Sequence, residues 1–126
     1  MHALVIENHF LIATQIEDDL SALGYTSFDI VDTERGATDA ARIRCPDLIT
    51  ADDRLATGTG LAAVRTICAD QIIPVVFILG GPRASGHSLP YASIVGKPFS
   101  GSRLRDAVAE AVAAADKARA AALDGG

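Results

Sequence analysis

Tryptophan is absent from this 126-residue chain, and aromatic residues of all kinds make up only 5% of it. Because 49% of the residues are nevertheless apolar, the core must be aliphatic, built from Ala, Val, Ile and Leu. A basic excess is also missing. Eleven Lys and Arg stand against 16 Asp and Glu, for a formal net charge of -5, with no basic run and no zinc-finger spacing. A nucleic-acid binder normally carries a basic face, so that class is set aside. The N-terminal apolar run, Ala3-Leu4-Val5-Ile6, stops at Glu7 and is too short for a signal peptide or a membrane span. A cytoplasmic protein that binds neither membrane nor nucleic acid is expected. Cys45 and Cys68 are the only cysteines and share no CxxC or Cys/His cluster, so they read as buried free thiols of a reducing compartment. The length suits one domain over residues 1–126, large enough to bury a core without staples.

What is present is an alternation of short apolar runs and helical periods. Residues 3–6 read as a strand buried on both faces. Ile12, Ile16, Leu20 and Leu23 then recur at helical spacing until Gly24 stops the helix. Residues 28–31 are a second strand. Thr33 is placed to cap a helix reaching about Cys45, with Ala37, Ala40, Ala41 and Ile43 inward and Pro46 ending it. Leu48-Ile49-Thr50-Ala51 is a third strand running into Asp52-Asp53, and a glycine-containing loop over 56–60 follows. Leu61, Val64 and Ile67 mark a third helix, and Val75-Val76-Phe77-Ile78-Leu79 a fourth strand.

Residues 80–92 are rich in Gly, Pro and Ser and show little helical period, so the helix due there is expected to be short or mobile. Ser93-Ile94-Val95 is the fifth strand. The last helix carries Leu104, Ala107, Val108, Ala111, Val112 and Ala115 on one stripe and extends to about residue 122. Ser100 or Ser102 stands where a cap belongs, and Lys117 and Arg119 suit the dipole at its end. Five strand–helix alternations imply an α/β fold with a parallel sheet covered on both faces, and the doubly wound, flavodoxin-like (βα)5 sheet with the common strand order 2-1-3-4-5 is expected.

In such sheets ligands bind at the carboxyl ends of the strands. Glu7 and Asn8 follow the first strand, Asp52 the third, and Lys97-Pro98 the fifth. Two acids on neighbouring strands and a lysine opposite suit phosphoryl transfer to a carboxylate, provided the like charges are screened by a divalent cation and an ammonium. His2, His9 and His87 show no partner spacing, and His9, beside the site, reads as a surface residue. Glu7-Asn8-His9-Phe10 is not the Ser/Thr/Gly-rich loop that flavin phosphate needs. Adjacent Asp52 and Asp53 do not match the two-residue acid spacing of a dehalogenase-type phosphatase, and Ser85 and Ser88 lie on no nucleophile elbow.

These residues resemble the receiver domains of two-component response regulators. Pro46-Asp47-Leu48-Ile49-Thr50-Ala51-Asp52 is similar to the segment ending in the family's phosphoacceptor, and Gly96-Lys97-Pro98-Phe99 to its Lys-Pro-Phe turn, whose lysine–proline bond is cis. The resemblance implies that Asp52 is the phosphoacceptor and Lys97 the phosphoryl-binding lysine. It further implies that Glu7, Asn8, Asp52 and the Arg54 carbonyl hold Mg2+. Pro74, Phe77, Gly80 and Gly81 match a degenerate form of the Pro-Phe-x-Phe-Ala-Thr-Gly-Gly signature of single-domain receivers, the FAT GUY group, which serve stress and developmental phosphorelays.

The chain departs from the family at three places. Asn8 replaces the second acid, so Mg2+ is expected to bind weakly. Leu79 stands where a Ser or Thr donates to the phosphoryl group, and Ile94 replaces the aromatic switch residue, which leaves Leu79, Gly80 and Ile94 as an altered switch. Two readings remain open. In one, a single-domain response regulator takes a phosphoryl group on Asp52 from a histidine kinase or phosphotransfer protein and signals through protein contacts. Its enzymology is then at most self-phosphorylation and autodephosphorylation. In the other, a pseudo-receiver binds partners whatever the state of Asp52. The output surface is expected over residues 93–115, with the domain a monomer or weak homodimer.

Overall fold

Apolar runs of this length can be buried only if both faces of a sheet are covered. The computed structural model, which describes residues 1–80 and 89–124, shows that arrangement. In chain order the elements are β1 (His2–Ile6), α1 (Phe10–Ala22), β2 (Ser27–Val31), α2 (Glu34–Ile43), β3 (Leu48–Asp52), α3 (Gly60–Ile67), β4 (Val75–Leu79), β5 (Ser93–Gly96) and α4 (Gly101–Asp124). The strands are all parallel, in the order β2-β1-β3-β4-β5. Alternate side chains enter opposite cores. Leu4, Ile6, Ile49, Ala51, Val75 and Phe77 meet α2 and α3 on one face. Ala3, Val5, Leu48, Val76, Ile78 and Val95 meet α1 and α4 on the other. Each buried aliphatic side chain contributes about 1.5–3 kcal/mol relative to exposure, so β1, β3 and β4, buried at every position, anchor the sheet.

The helix starts follow local chemistry. Thr33 accepts a hydrogen bond from the Gly36 N–H at 2.9 Å and caps α2. Ser100, rather than Ser102, caps α4 by accepting from the Arg103 N–H at 3.2 Å. Thr59 caps α3 in the same way, at 3.1 Å from the Ala62 nitrogen, within a stretch that reads as loop in sequence.

Four expectations are corrected. Ile43 is 87% exposed, not inward. At 100° per residue it lies roughly 140° from the Ala37–Ala41 stripe that does face the core. Cys45 is exposed, its thiol 3.3 Å from Gln71 Oε1, and Cys68 is only half-buried at the end of α3. Lys117 and Arg119 do not reach the last turn of α4, because the helix continues to Asp124. Arg119 instead donates from Nε and Nη2 to the Ile72 carbonyl, at 3.1 and 2.7 Å, and ties α4 to the segment before β4.

Residues 81–88 lie outside the described residues, and with them most of the stretch expected to hold the short helix, together with Ser85, His87 and Ser88. Among the described residues no helix is long and apolar enough to cross a membrane.

Candidate functional site

β1 and β3 are neighbours in register, Ile6 opposite Ala51, so the residues that end them bring two carboxylates side by side. Glu7 follows β1, and its backbone N–H donates to the Val31 carbonyl of β2 at 2.9 Å. Asp52 is the last residue of β3. Lys97 leaves β5 through a cis bond to Pro98, and its own N–H donates to the Leu79 carbonyl of β4 at 2.8 Å. Gln15 of α1 holds the turn from the other side, donating to the Phe99 carbonyl at 3.1 Å. From this anchor the lysine stem crosses Gly80 and places Nζ 3.2 Å from Glu7 Oε2 and 3.2 Å from Asp52 Oδ1.

The three side chains are 17%, 1% and 10% exposed, for Lys97, Glu7 and Asp52. Charges so far out of water are costly unless paired, and here one ammonium serves two carboxylates. Backbone donors support the anions: the His9 N–H reaches Glu7 Oε2 at 3.0 Å, and the Asp53 N–H reaches Asp52 Oδ1 at 2.8 Å. Glu7 Oε1, although buried, has no hydrogen-bond partner among the described residues. Burial pushes the Glu7 carboxyl above its ordinary value and Asp52 adds to this, while the His9 N–H and Lys97 pull it back.

The group opens into a cavity of about 400 Å³, lined by Glu7, Asn8, His9, Asp52, Asp53, Arg54, Gly80 and Lys97 among others. The expected acceptor, lysine and oxygen donors are therefore together. Asn8 and Arg54 are exposed at the mouth. The expected switch residues are not gathered there. Leu79 is buried in the core on the α2–α3 side, and Ile94, opposite Phe77 on the edge strand β5, is 48% exposed. Only Gly80 of the three lines the cavity.

Among the described residues no three His, Cys, Asp or Glu side chains are grouped to hold a metal ion. The expected ligands, the Glu7 and Asp52 carboxylates, the Asn8 amide and the Arg54 carbonyl, belong to residues that line the cavity and all offer oxygen. That set, with a buried carboxylate oxygen left unpartnered, fits Mg2+, which keeps several waters and needs only one or two carboxylates.

A partnered histidine lies at the opposite end of the sheet, where sequence spacing points to none. The His2 ring is buried, with Nδ1 2.8 Å from Ser27 Oγ and Nε2 2.9 Å from Asp29 Oδ2. Those partners stand 25 and 27 residues away on β2, and only the pairing of His2 with Ser27 in the sheet brings them close.

The raised Glu7 carboxyl carries a prediction. A carboxyl held above its unfolded value favours the fold while protonated, and that contribution is lost as pH rises through its folded value. Glu7→Gln keeps an acceptor for the His9 N–H and removes the buried charge. Thermal melts should show it unfolding a few degrees above the unsubstituted protein at pH 7, with the gap narrowing toward pH 4. A variant less stable at pH 7 would show that the lysine pair outweighs the cost of burial.

No family model matches the chain, and no curated protein matches it. Solved structures do. The receiver domain of the Erythrobacter litoralis PhyR response regulator is 30% identical over 88% of this chain and 88% of that one, with a TM-score of 0.75. The anti-anti-sigma factor PhyR of Bartonella quintana is 30% identical over 96% of this chain, with a TM-score of 0.77. This chain spans 51% of that protein, about half its length. NtrX of Brucella abortus shares the fold at a TM-score of 0.81 and 22% identity, over 96% of this chain and 28% of its own. With the 2-1-3-4-5 sheet and the acid–lysine cluster at its carboxyl end, these similarities establish that the chain belongs to the receiver domains of response regulators.

Proposed function

We propose that Asp52 accepts a phosphoryl group from a phosphohistidine of a histidine kinase or phosphotransfer protein, and that the domain signals through protein contacts. One observation carries the reading: Lys97 Nζ stands 3.2 Å from both Asp52 and Glu7 in an open cavity. An Asp52 carboxylate oxygen would form the new bond to phosphorus as the bond from phosphorus to the donor nitrogen breaks, its electron pair leaving with the imidazole. Lys97 would release Asp52 Oδ1 and hold an oxygen of the transferred group. Mg2+, held by Glu7, Asp52, the Arg54 carbonyl and the Asn8 amide, would supply further charge neutralisation, weakly because Asn8 brings no charge.

Leu79 offers no hydroxyl, and one missing transition-state donor is worth about 3 kcal/mol, on the order of 100-fold in rate. Slow phosphorylation is therefore part of the proposal. The similarity to PhyR receivers and the degenerate signature around Phe77 support a place in a stress phosphorelay, with β5 and α4 as the output surface.

The test is incubation with acetyl phosphate and Mg2+, and separately with the cognate kinase, followed by intact-mass and phosphate-affinity gel analysis. A label on the protein that is absent from Asp52→Ala supports the proposal. No Asp52-dependent label from either donor overturns it and leaves the reading of a phosphorylation-independent adaptor.

A further inference from the structure

The loop that joins β3 to α3, residues 53–59, carries two of the cavity-lining residues, Asp53 and Arg54. It is held from outside the cavity by the start of α2. The Ala56 N–H donates to the Asp32 carbonyl at 2.9 Å, and the Glu34 N–H to the Thr57 carbonyl at 3.0 Å. Thr33 and Thr57 form an isolated parallel bridge, and Arg54 and Thr59 an antiparallel one across the loop. The Glu34 side chain adds a side-chain bond across this seam: its Oε1 accepts from the Thr59 N–H at 3.4 Å.

The bond is long, but the carboxylate is seated by the loop itself. Gly58 has φ +82°, a conformation natural to glycine, and a Cβ there would lie 2.6 Å from Glu34 Cβ. The loop thus turns at the one residue that lets it lie flat on the Glu34 side chain. Glu34 lines a separate pocket with Thr57 and Gly58 and does not line the acceptor cavity.

We infer that Glu34 is a positioning residue for the acceptor site, a latch whose carboxylate holds loop 53–59 so that the Arg54 backbone carbonyl and Asp53 face the cavity. The inference rests on the proposed function for its consequence but not for its geometry. Removing such an outer support typically costs about 10–100-fold in metal affinity.

The first measurement needs no metal. Amide hydrogen exchange of the metal-free Glu34→Ala variant should show faster exchange at Ala56 and Thr59, with the strands unchanged. The second is Mn2+ affinity from paramagnetic broadening, as a stand-in for Mg2+, at a temperature where each variant is fully folded. Glu34→Ala should bind about tenfold more weakly, and Glu34→Gln, which keeps the acceptor oxygen, should restore both readouts. Labelling of Glu34→Ala by acetyl phosphate should approach the unsubstituted rate when the divalent ion is saturating.

Unchanged loop exchange in Glu34→Ala overturns the latch. So does unchanged Mn2+ affinity where the unsubstituted protein binds the ion. If the unsubstituted protein takes neither Mn2+ nor label while Glu34→Ala still loosens the loop, the phosphoacceptor reading fails and the latch stands as a feature of the fold.

Discussion

Lys97→Ala is expected to destabilise the domain by about 3 kcal/mol at neutral pH, roughly 10 °C in melting temperature for a domain of this size. Lys97 Nζ is the ammonium between Glu7 Oε2 and Asp52 Oδ1, and both carboxylates are nearly out of water. A surface pair would be worth about 1 kcal/mol at most. Here the loss is larger because two buried anions would be left facing each other with only backbone donors. Lys97 is also one of the influences that pull the Glu7 carboxyl down, so its removal raises that group further. The sign follows from linkage. In the variant the fold is most penalised at neutral pH, where Glu7 must carry charge, and recovers as pH falls and Glu7 takes up a proton. Thermal melts from pH 5 to 8 check this, and the double variant Lys97→Ala/Asp52→Asn should regain much of the loss at pH 7. A loss independent of pH, with no recovery in the double variant, would mean that Lys97 acts by packing its stem rather than by charge.

Gly60→Ala should also cost about 3 kcal/mol, against the usual sign of such a change. Gly60 is the first residue of α3, and in most helices alanine is better than glycine by about 1 kcal/mol. Here a Cβ would collide with the backbone carbonyl of Asp52 and lie 3.3 Å from Ala51 Cβ. Neither can yield easily. Asp52 ends a central strand paired with Ile78 of β4, and Ala51 is fully buried. Overpacking of this kind costs about 1–3 kcal/mol, and more when the atom met is backbone. The clash outweighs the gain in helix propensity. The displacement falls on Asp52, the proposed acceptor, so chemical denaturation should show the stability loss and, if the proposal holds, acetyl phosphate labelling should slow with it. A variant as stable as the unsubstituted protein would mean that the start of α3 can slide away from β3.

The strands, their parallel direction and the placing of Glu7, Asp52 and Lys97 after strand ends follow from local patterns. An apolar run such as 75–79, five residues long between Pro74 and Gly80, is too short for a buried helix and reads as a strand covered on both faces. Alternation with helical periods then leaves few topologies, and the motif around Lys97 marks its turn. Ile43 misleads because an apolar residue near a helix end looks like stripe until its angle is counted.

Other features needed the folded chain. The hold of Lys97 on both carboxylates depends on strand order and on β4 presenting Gly80 beneath its stem. The His2 cluster exists only through the register of β1 with β2. Leu79 is visible in sequence as a missing hydroxyl, yet only packing shows its side chain turned into the core instead of the cavity. Glu34 gives no signal along the chain, since it works through a loop more than 20 residues away, at Gly58 and Thr59. Periodicity is a property of neighbours in the chain and writes itself into the sequence. Charge pairing, register and close backbone approach belong to residues that meet only once the sheet has formed.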